Sequence, residues 1–74
     1  MNRYAVSYIN FYDNELKTSI VKGDSELDAL CKGVIKATGL SECDSGFEDC
    51  GNLEEAKEFA FNMDSMVDVI IIPE

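Results

Sequence analysis

The chain has 74 residues with 15 acidic and 6 basic side chains, a net charge of −9, and it contains no histidine. A chain of this length forms one domain with a small core, so we expect a single domain over residues 1–74. The negative charge opposes direct binding to nucleic-acid phosphates, and the lack of histidine removes the usual base for nucleophilic catalysis.

The first predicted element is a β-hairpin. Residues 4–12 alternate and are rich in aromatic and β-branched side chains, which is typical of a strand. Asp13 and Asn14 favour a turn, and residues 15–22 then predict the second strand.

A two-residue turn at Asp13 and Asn14 divides the hairpin side chains between two faces. The expected core face carries Ser7, Ile9, Phe11, Leu16, Thr18 and Ile20. The opposite face carries Tyr4, Val6, Tyr8 and Tyr12. A one-residue slip in register would exchange the two faces.

The next element is a helix that begins at Asp24 or Ser25, both good N-cap residues. Apolar side chains recur at three- and four-residue spacing, which predicts one stripe facing the core. The stripe consists of Leu27, Leu30, Cys31, Val34 and Ile35. Asp28 and Lys32 form a favourable pair four residues apart, and Gly39 is typical of the position after a helix end.

Residues 41–51 predict a polar connection with a possible short strand around Phe47. Asn52 predicts the N-cap of a second helix. Its expected inward residues are Leu53, Ala56, Phe59, Ala60 and Met63, and its expected outward residues are Glu54, Glu55, Glu58 and Asn62. Residues 66–72 predict a last strand, which Pro73 ends.

The element order predicts an α+β fold, a small three-stranded (β-β-α-α-β) sheet with two helices packed on one face. The last strand is expected beside the first. Two helices cover only one face, so the other face would expose an apolar patch, which on a small protein marks a homodimer or docking surface. The expected patch consists of Tyr4, Val6, Tyr8 and Ile70. The alternative is that tyrosines, with their polar tips, simply face solvent.

No metal site or cofactor is expected. Residues 42–49 do not place ligands and glycine at EF-hand positions, and three cysteines without histidine make a deficient zinc set. Cys43 and Cys50 could approach each other, although a reducing compartment favours free thiols. The N-terminus does not resemble a signal peptide, so we expect a cytoplasmic protein, in the host cytoplasm if it is viral.

The acidic residues are concentrated in the second half of the chain. Residues 1–40 carry five acids and five bases, whereas residues 41–74 carry ten acids and only Lys57 as a base. A surface of one sign steers association with an oppositely charged partner; the alternative is that acidity only confers solubility. The expected partner-binding ridge consists of Glu42, Asp44, Glu48, Asp49, Glu54, Glu55 and Glu58.

The hairpin followed by Gly23-Asp24-Ser25-Glu26-Leu27-Asp28-Ala29-Leu30 resembles the opening of small acidic phage-encoded accessory proteins. Proteins of that kind include inhibitors of host RNA polymerase, nucleases and CRISPR effectors. The resemblance implies a non-enzymatic protein that regulates or inhibits a host nucleic-acid-binding protein. In that interpretation the negative ridge imitates DNA and occupies a basic protein surface.

Overall fold

The structure is a computed structural model that describes residues 1–39 and 45–73. Its elements are β1 (Asn2–Asn10), β2 (Glu15–Gly23), α1 (Glu26–Thr38), α2 (Ser45–Glu48), α3 (Leu53–Asn62) and β3 (Ser65–Ile72). The strands form one antiparallel sheet in the order β2-β1-β3, with helices on one face. The predicted α+β class and the place of the last strand beside the first are confirmed.

The hairpin turn is longer than the sequence predicts. Asn10 pairs with Glu15, so residues 11–14 form the loop. Local hydrogen bonds stabilise it, because the Asn10 Oδ1 accepts from the Tyr12 amide at 2.8 Å and the Asp13 Oδ1 accepts from the Glu15 amide at 3.0 Å. The register therefore differs from the prediction by two residues, a shift that leaves the same side chains on each face.

The assignment of the two sheet faces was wrong. Tyr4 and Val6 face the helices and are only 4% and 1% exposed. Leu16 and Ile20, expected in the core, are 63% and 51% exposed on the opposite face. Both faces of the hairpin are apolar, so alternation alone could not show which one the helices cover.

The prediction of a docking patch was also wrong for most of its residues, because the predicted face lies under the helices. Tyr4 and Val6 lie in the core and Tyr8 is half-buried against it, so these side chains do not form an open surface. Ile70 does lie on the uncovered face and is 61% exposed.

Helix α1 begins and ends where the sequence predicts. The Ser25 hydroxyl accepts from the Asp28 amide at 3.1 Å, and Gly39 ends the helix with φ 75°, a conformation that favours glycine. Leu30 and Val34 of the predicted stripe are buried. Gly33 brings the helix close to the sheet, because a Cβ there would lie 2.3 Å from Cγ1 of Val6.

The prediction of a short strand around Phe47 was wrong, because these residues form the short helix α2. Phe47 is buried and its ring meets that of Phe59 edge-on, with the ring centroids 4.8 Å apart. The aromatic side chain thus enters the core from a helical turn between α1 and α3.

Helix α3 begins after Asn52, whose Oδ1 accepts from the Glu55 amide at 2.9 Å. Ala56 and Ala60 are fully buried, as predicted, and their small size lets the helix approach the sheet. Met63, expected to face inward, is 48% exposed because it follows the last helical residue in the turn toward β3. No helix within the described residues combines the length and apolarity needed to cross a membrane.

Candidate acidic interface

The two outer strands of the sheet have different surroundings. At β2, the Lys32 ammonium donates to the Lys22 carbonyl at 3.0 Å and to the Asp28 carboxylate at 2.9 Å. The Lys36 ammonium donates to the Ile20 carbonyl at 3.4 Å. Two lysines of α1 thus occupy backbone acceptors of this edge strand, a common protection against strand pairing.

Two further lysines also have partners within the fold. The Lys17 ammonium donates to the Ala37 carbonyl at 3.0 Å, in the last turn of α1, where the helix dipole favours a cation. Lys57, the single base of the second half, lies 3.2 Å from the Asp68 carboxylate and joins α3 to β3. These positive charges are therefore engaged in interactions within the chain.

The predicted acidic residues within the described part of the chain are all solvent-exposed. Glu48 and Asp49 lie at the end of α2, and Glu54, Glu55 and Glu58 lie on α3. Glu42 and Asp44, also predicted for the ridge, lie outside the described residues.

Glu55 has a structural role that the sequence analysis did not assign. Its Oε2 accepts from the Gly51 amide at 2.6 Å, while its own amide donates to Asn52. This reciprocal arrangement resembles a capping box and satisfies backbone donors at the start of α3. Glu55 therefore stabilises the helix as well as contributing negative charge.

The other four carboxylates have no such role. The carboxylates of Glu48, Asp49, Glu54 and Glu58 make no hydrogen bond or ion pair with any other described residue. Glu54 and Glu58 are four residues apart, so both project from one side of α3, where like charges cost a few tenths of a kcal/mol. Their carboxylates remain available to a partner.

A groove of about 530 Å³ runs along β3 beside α3. Glu54 and Glu58 flank it, Phe61 and Met66 supply apolar surface, and the Lys57–Asp68 pair lies within it. Phe61 is 62% exposed and Met66 is 53% exposed. The groove therefore combines two uncompensated carboxylates with exposed apolar side chains.

This combination fits a long basic side chain. The aliphatic stem of arginine or lysine packs on apolar surface while its charged head stays near carboxylates. Arginine fits best, because its planar guanidinium can bond two carboxylate oxygens at once. The groove therefore offers the surface chemistry that a long basic side chain requires.

Cys50 lies next to the acidic surface but is not poised as a nucleophile. Partial burial raises the pKa of its thiol, and the nearby carboxylates of Glu55 and Asp49 raise it further. The thiol donates to the Gly46 carbonyl at 3.2 Å. A protonated thiol is unreactive. The predicted approach of Cys43 to Cys50 falls partly outside the described residues.

The described residues contain no group of three or more cysteine, aspartate or glutamate side chains arranged to hold a metal ion. Comparison with protein-family models, curated protein sequences and solved structures finds no match to this chain.

The apolar part of the groove and the Lys57–Asp68 pair were not predicted from the sequence. Phe61 lies one turn beyond the predicted outward residue Glu58 and was placed on neither face. The available signal was a phenylalanine outside the inward stripe of α3. Exposed aromatic side chains are enriched at binding surfaces.

Proposed function

We propose that the protein is a non-enzymatic binding module whose acidic surface on α2 and α3 contacts a basic surface of another protein. The observation that carries this proposal is the groove beside β3, where Glu54 and Glu58 flank the exposed Phe61 and Met66. Charge steers a basic partner toward this surface, and the apolar side chains add contact area once the partner is bound.

The partner class that fits best is a nucleic-acid-binding protein of the host cytoplasm. Such proteins carry clusters of arginine and lysine that neutralise phosphates, and free carboxylates can occupy the same clusters. Binding of this protein would then compete with nucleic acid and inhibit its partner. A reducing cytoplasm is consistent with the free thiols of Cys31 and Cys50.

The test is an affinity capture from bacterial lysate with the immobilised protein, followed by elution with duplex DNA and mass spectrometry. The variant Glu54→Gln/Glu58→Gln removes two groove carboxylates without shortening the side chains. We expect capture of a nucleic-acid-binding protein that DNA releases, and loss of that capture in the variant.

The matched control is Asp13→Asn/Glu15→Gln, which changes the net charge equally at the hairpin end of β2. Asparagine keeps the oxygen that accepts from the amide of residue 15. Equal capture by both double variants would contradict a role of the groove. Glu55 is left unchanged because its carboxylate bonds the Gly51 amide.

A further inference from the structure

The sheet face opposite the helices carries apolar side chains that no described part of the chain covers. Leu16, Ile20, Met66 and Ile70 are each between 51% and 63% exposed on this face, which we call the open face. A three-stranded sheet is about 14 Å wide and eight residues long, so the open face covers several hundred Å². A patch of that size is comparable to the largest patch on a typical monomer, and such patches are often functional.

The strand register orders the open face into four rows, each with one residue from β2, β1 and β3. The rows are Lys22-Arg3-Ile72, Ile20-Ala5-Ile70, Thr18-Ser7-Asp68 and Leu16-Ile9-Met66. Two apolar rows therefore lie on either side of a polar row, and small side chains occupy two positions of the central strand. Small residues in the centre let a second sheet approach closely.

The open face differs in charge from the rest of the molecule. It carries Arg3 and Lys22 against Asp68, whereas the whole chain has a net charge of −9. The open face therefore has little net charge and does not need a strongly charged partner. Its two apolar rows need an apolar partner surface. Another copy of the same face supplies one.

We propose that the open face binds a second copy of this chain, with the two sheets stacked face to face about a two-fold axis parallel to β1. This rotation stacks each row on the same row of the other copy. It places β2 of one copy opposite β3 of the other. Ile20 then meets Ile70 of the other copy, and Leu16 meets Met66. The Asp68 carboxylate lies opposite the hydroxyl of Thr18, which can donate to it.

The other in-plane two-fold axis, perpendicular to the strands, fits less well. It would place Asp68 against Ile70 in the middle of the face, which buries a carboxylate without a polar partner. With the parallel axis Asp68 faces Thr18. The two Arg3 side chains then meet, and Lys22 faces Ile72, in the row at the solvent-exposed end of the face. The charge pattern thus selects one of the two arrangements.

The available area suits a weak, transient dimer. Two such faces, each about 14 Å by 27 Å, together bury roughly 800 Å², which lies in the range of weak interfaces. Net charges of −9 on both copies oppose association at long range, and salt screens that repulsion. Dimerisation should therefore strengthen as salt rises, whereas binding of a basic partner at the groove should weaken.

The first test is sedimentation equilibrium of the full chain and of Ile70→Lys, from micromolar to millimolar concentration. Because each copy contributes the residue, the substitution should raise the dimer dissociation constant by roughly 100-fold. The control is Ile71→Lys, since Ile71 is 52% exposed but points to the helix side of the same strand. This control should leave dimerisation unchanged.

The second test examines the pairing of Ile20 with Ile70 across the interface. The variants Ile20→Glu and Ile70→Lys should each be monomeric, because their homodimers place a charge against isoleucine. Mixed one to one, they should form a heterodimer in which the new glutamate meets the new lysine and the other isoleucine pair is retained. Native mass spectrometry distinguishes the heterodimer from each homodimer.

Three results would overturn the proposal. They are a monomeric full chain at millimolar concentration and moderate salt, equal weakening by Ile70→Lys and Ile71→Lys, and failure of the mixed variants to associate. Circular dichroism and urea unfolding of each variant show that it is folded. Met66 and Asp68 border both surfaces, but the substituted residues Ile20, Ile70 and Ile71 do not line the groove. The two proposals can therefore fail separately.

Discussion

The two edges of the sheet have similar architecture and opposite surface chemistry. A helix lies over each edge strand, but α1 directs Lys32 and Lys36 to carbonyls of β2. Helix α3 instead presents Glu54 and Glu58 beside β3, together with exposed apolar side chains. Lysines of α1 therefore close the edge at β2. No described lysine donates to a carbonyl of β3, and carboxylates flank that edge, which we call the open edge.

The difference shows what the charge asymmetry of the sequence does in the fold. The first half is neutral overall, and Lys17, Lys32 and Lys36 each donate to a backbone carbonyl. In the second half only Lys57 is basic, and it pairs with Asp68. Four lysines therefore bond within the fold, whereas the carboxylates of Glu54 and Glu58 have no partner among the described residues. The surface field is therefore negative at the open edge.

The largest effect is expected at Gly33, which lets α1 lie close enough to the sheet for its lysines to reach β2. Gly33→Leu should lower the free energy of unfolding by about 3 kcal/mol, because the new side chain would clash with Val6. Urea unfolding at pH 7 measures the change.

Gly33→Ala tests the same contact through the sign of the change in the free energy of unfolding. At an exposed helical position this substitution stabilises by about 1 kcal/mol. Here the added Cβ would lie 2.3 Å from Val6 Cγ1, so we expect a net loss of about 1 kcal/mol. A gain in stability would contradict the close packing of α1 on β1.

The next effect concerns the start of α3, the helix that lies beside the open edge at β3. Asn52→Ala removes the acceptor for the Glu55 amide and should lower the free energy of unfolding by about 1 kcal/mol. Asn62→Ala, an exposed site at the other end of the same helix, is the control and should stay within about 0.5 kcal/mol. Equal losses would mean that the cap does not stabilise α3.

A smaller effect is expected at the closed edge. Lys32→Met keeps the side-chain length but removes the donor to the Lys22 carbonyl and to Asp28, so stability should fall by about 0.7 kcal/mol. Lys22→Met removes the same charge from a side chain on the open face and should cost less. Thermal unfolding of both variants compares them. A larger loss for Lys22→Met would contradict the role of Lys32 in closing the edge.

The smallest effect is a pH dependence at Asp28. Bonds from the Asp24 amide and Lys32 lower the pKa of its carboxyl below the ordinary 3.8. The folded state thus binds this proton more weakly than the unfolded state, so the stabilisation is present above about pH 4 and lost as pH falls further.

The stability difference between the full chain and Asp28→Asn, measured by urea unfolding, should shrink from pH 7 to pH 3. Acid also relieves the general repulsion between negative charges. This effect is common to both proteins, so it cancels in the difference between their free energies of unfolding. A difference that stays constant with pH would exclude ionised Asp28 as its source.

Local signals predicted much of the fold. Ser25, Gly39 and Asn52 mark helix ends by interactions within a few residues, and all three are used as predicted. The choice of sheet face was not predictable in this way, because Val6 and Ile9 are equally apolar. That choice depends on the close approach of α1 at Gly33, a contact between residues far apart in sequence.

The acidic surface was predictable as a set of exposed glutamates on one side of α3, but not as a groove. Exposure of Glu54 and Glu58 follows from helical periodicity. Their position beside Met66 depends on the placement of β3 as an edge strand against α3. The capping bond of Glu55 was also hidden, because its acceptor role depends on where Gly51 lies.

The most direct measurement is NMR mapping of amide shifts in isotope-labelled protein titrated with hexa-arginine peptide at low salt and at 0.3 M salt. We expect the largest shifts at Glu54, Glu58 and Asp68, weakened by salt, and small shifts at the closed edge near Lys32. Shifts as large at Asp13 and Glu15 as at the groove would contradict it, because binding would then follow net charge and not the open edge.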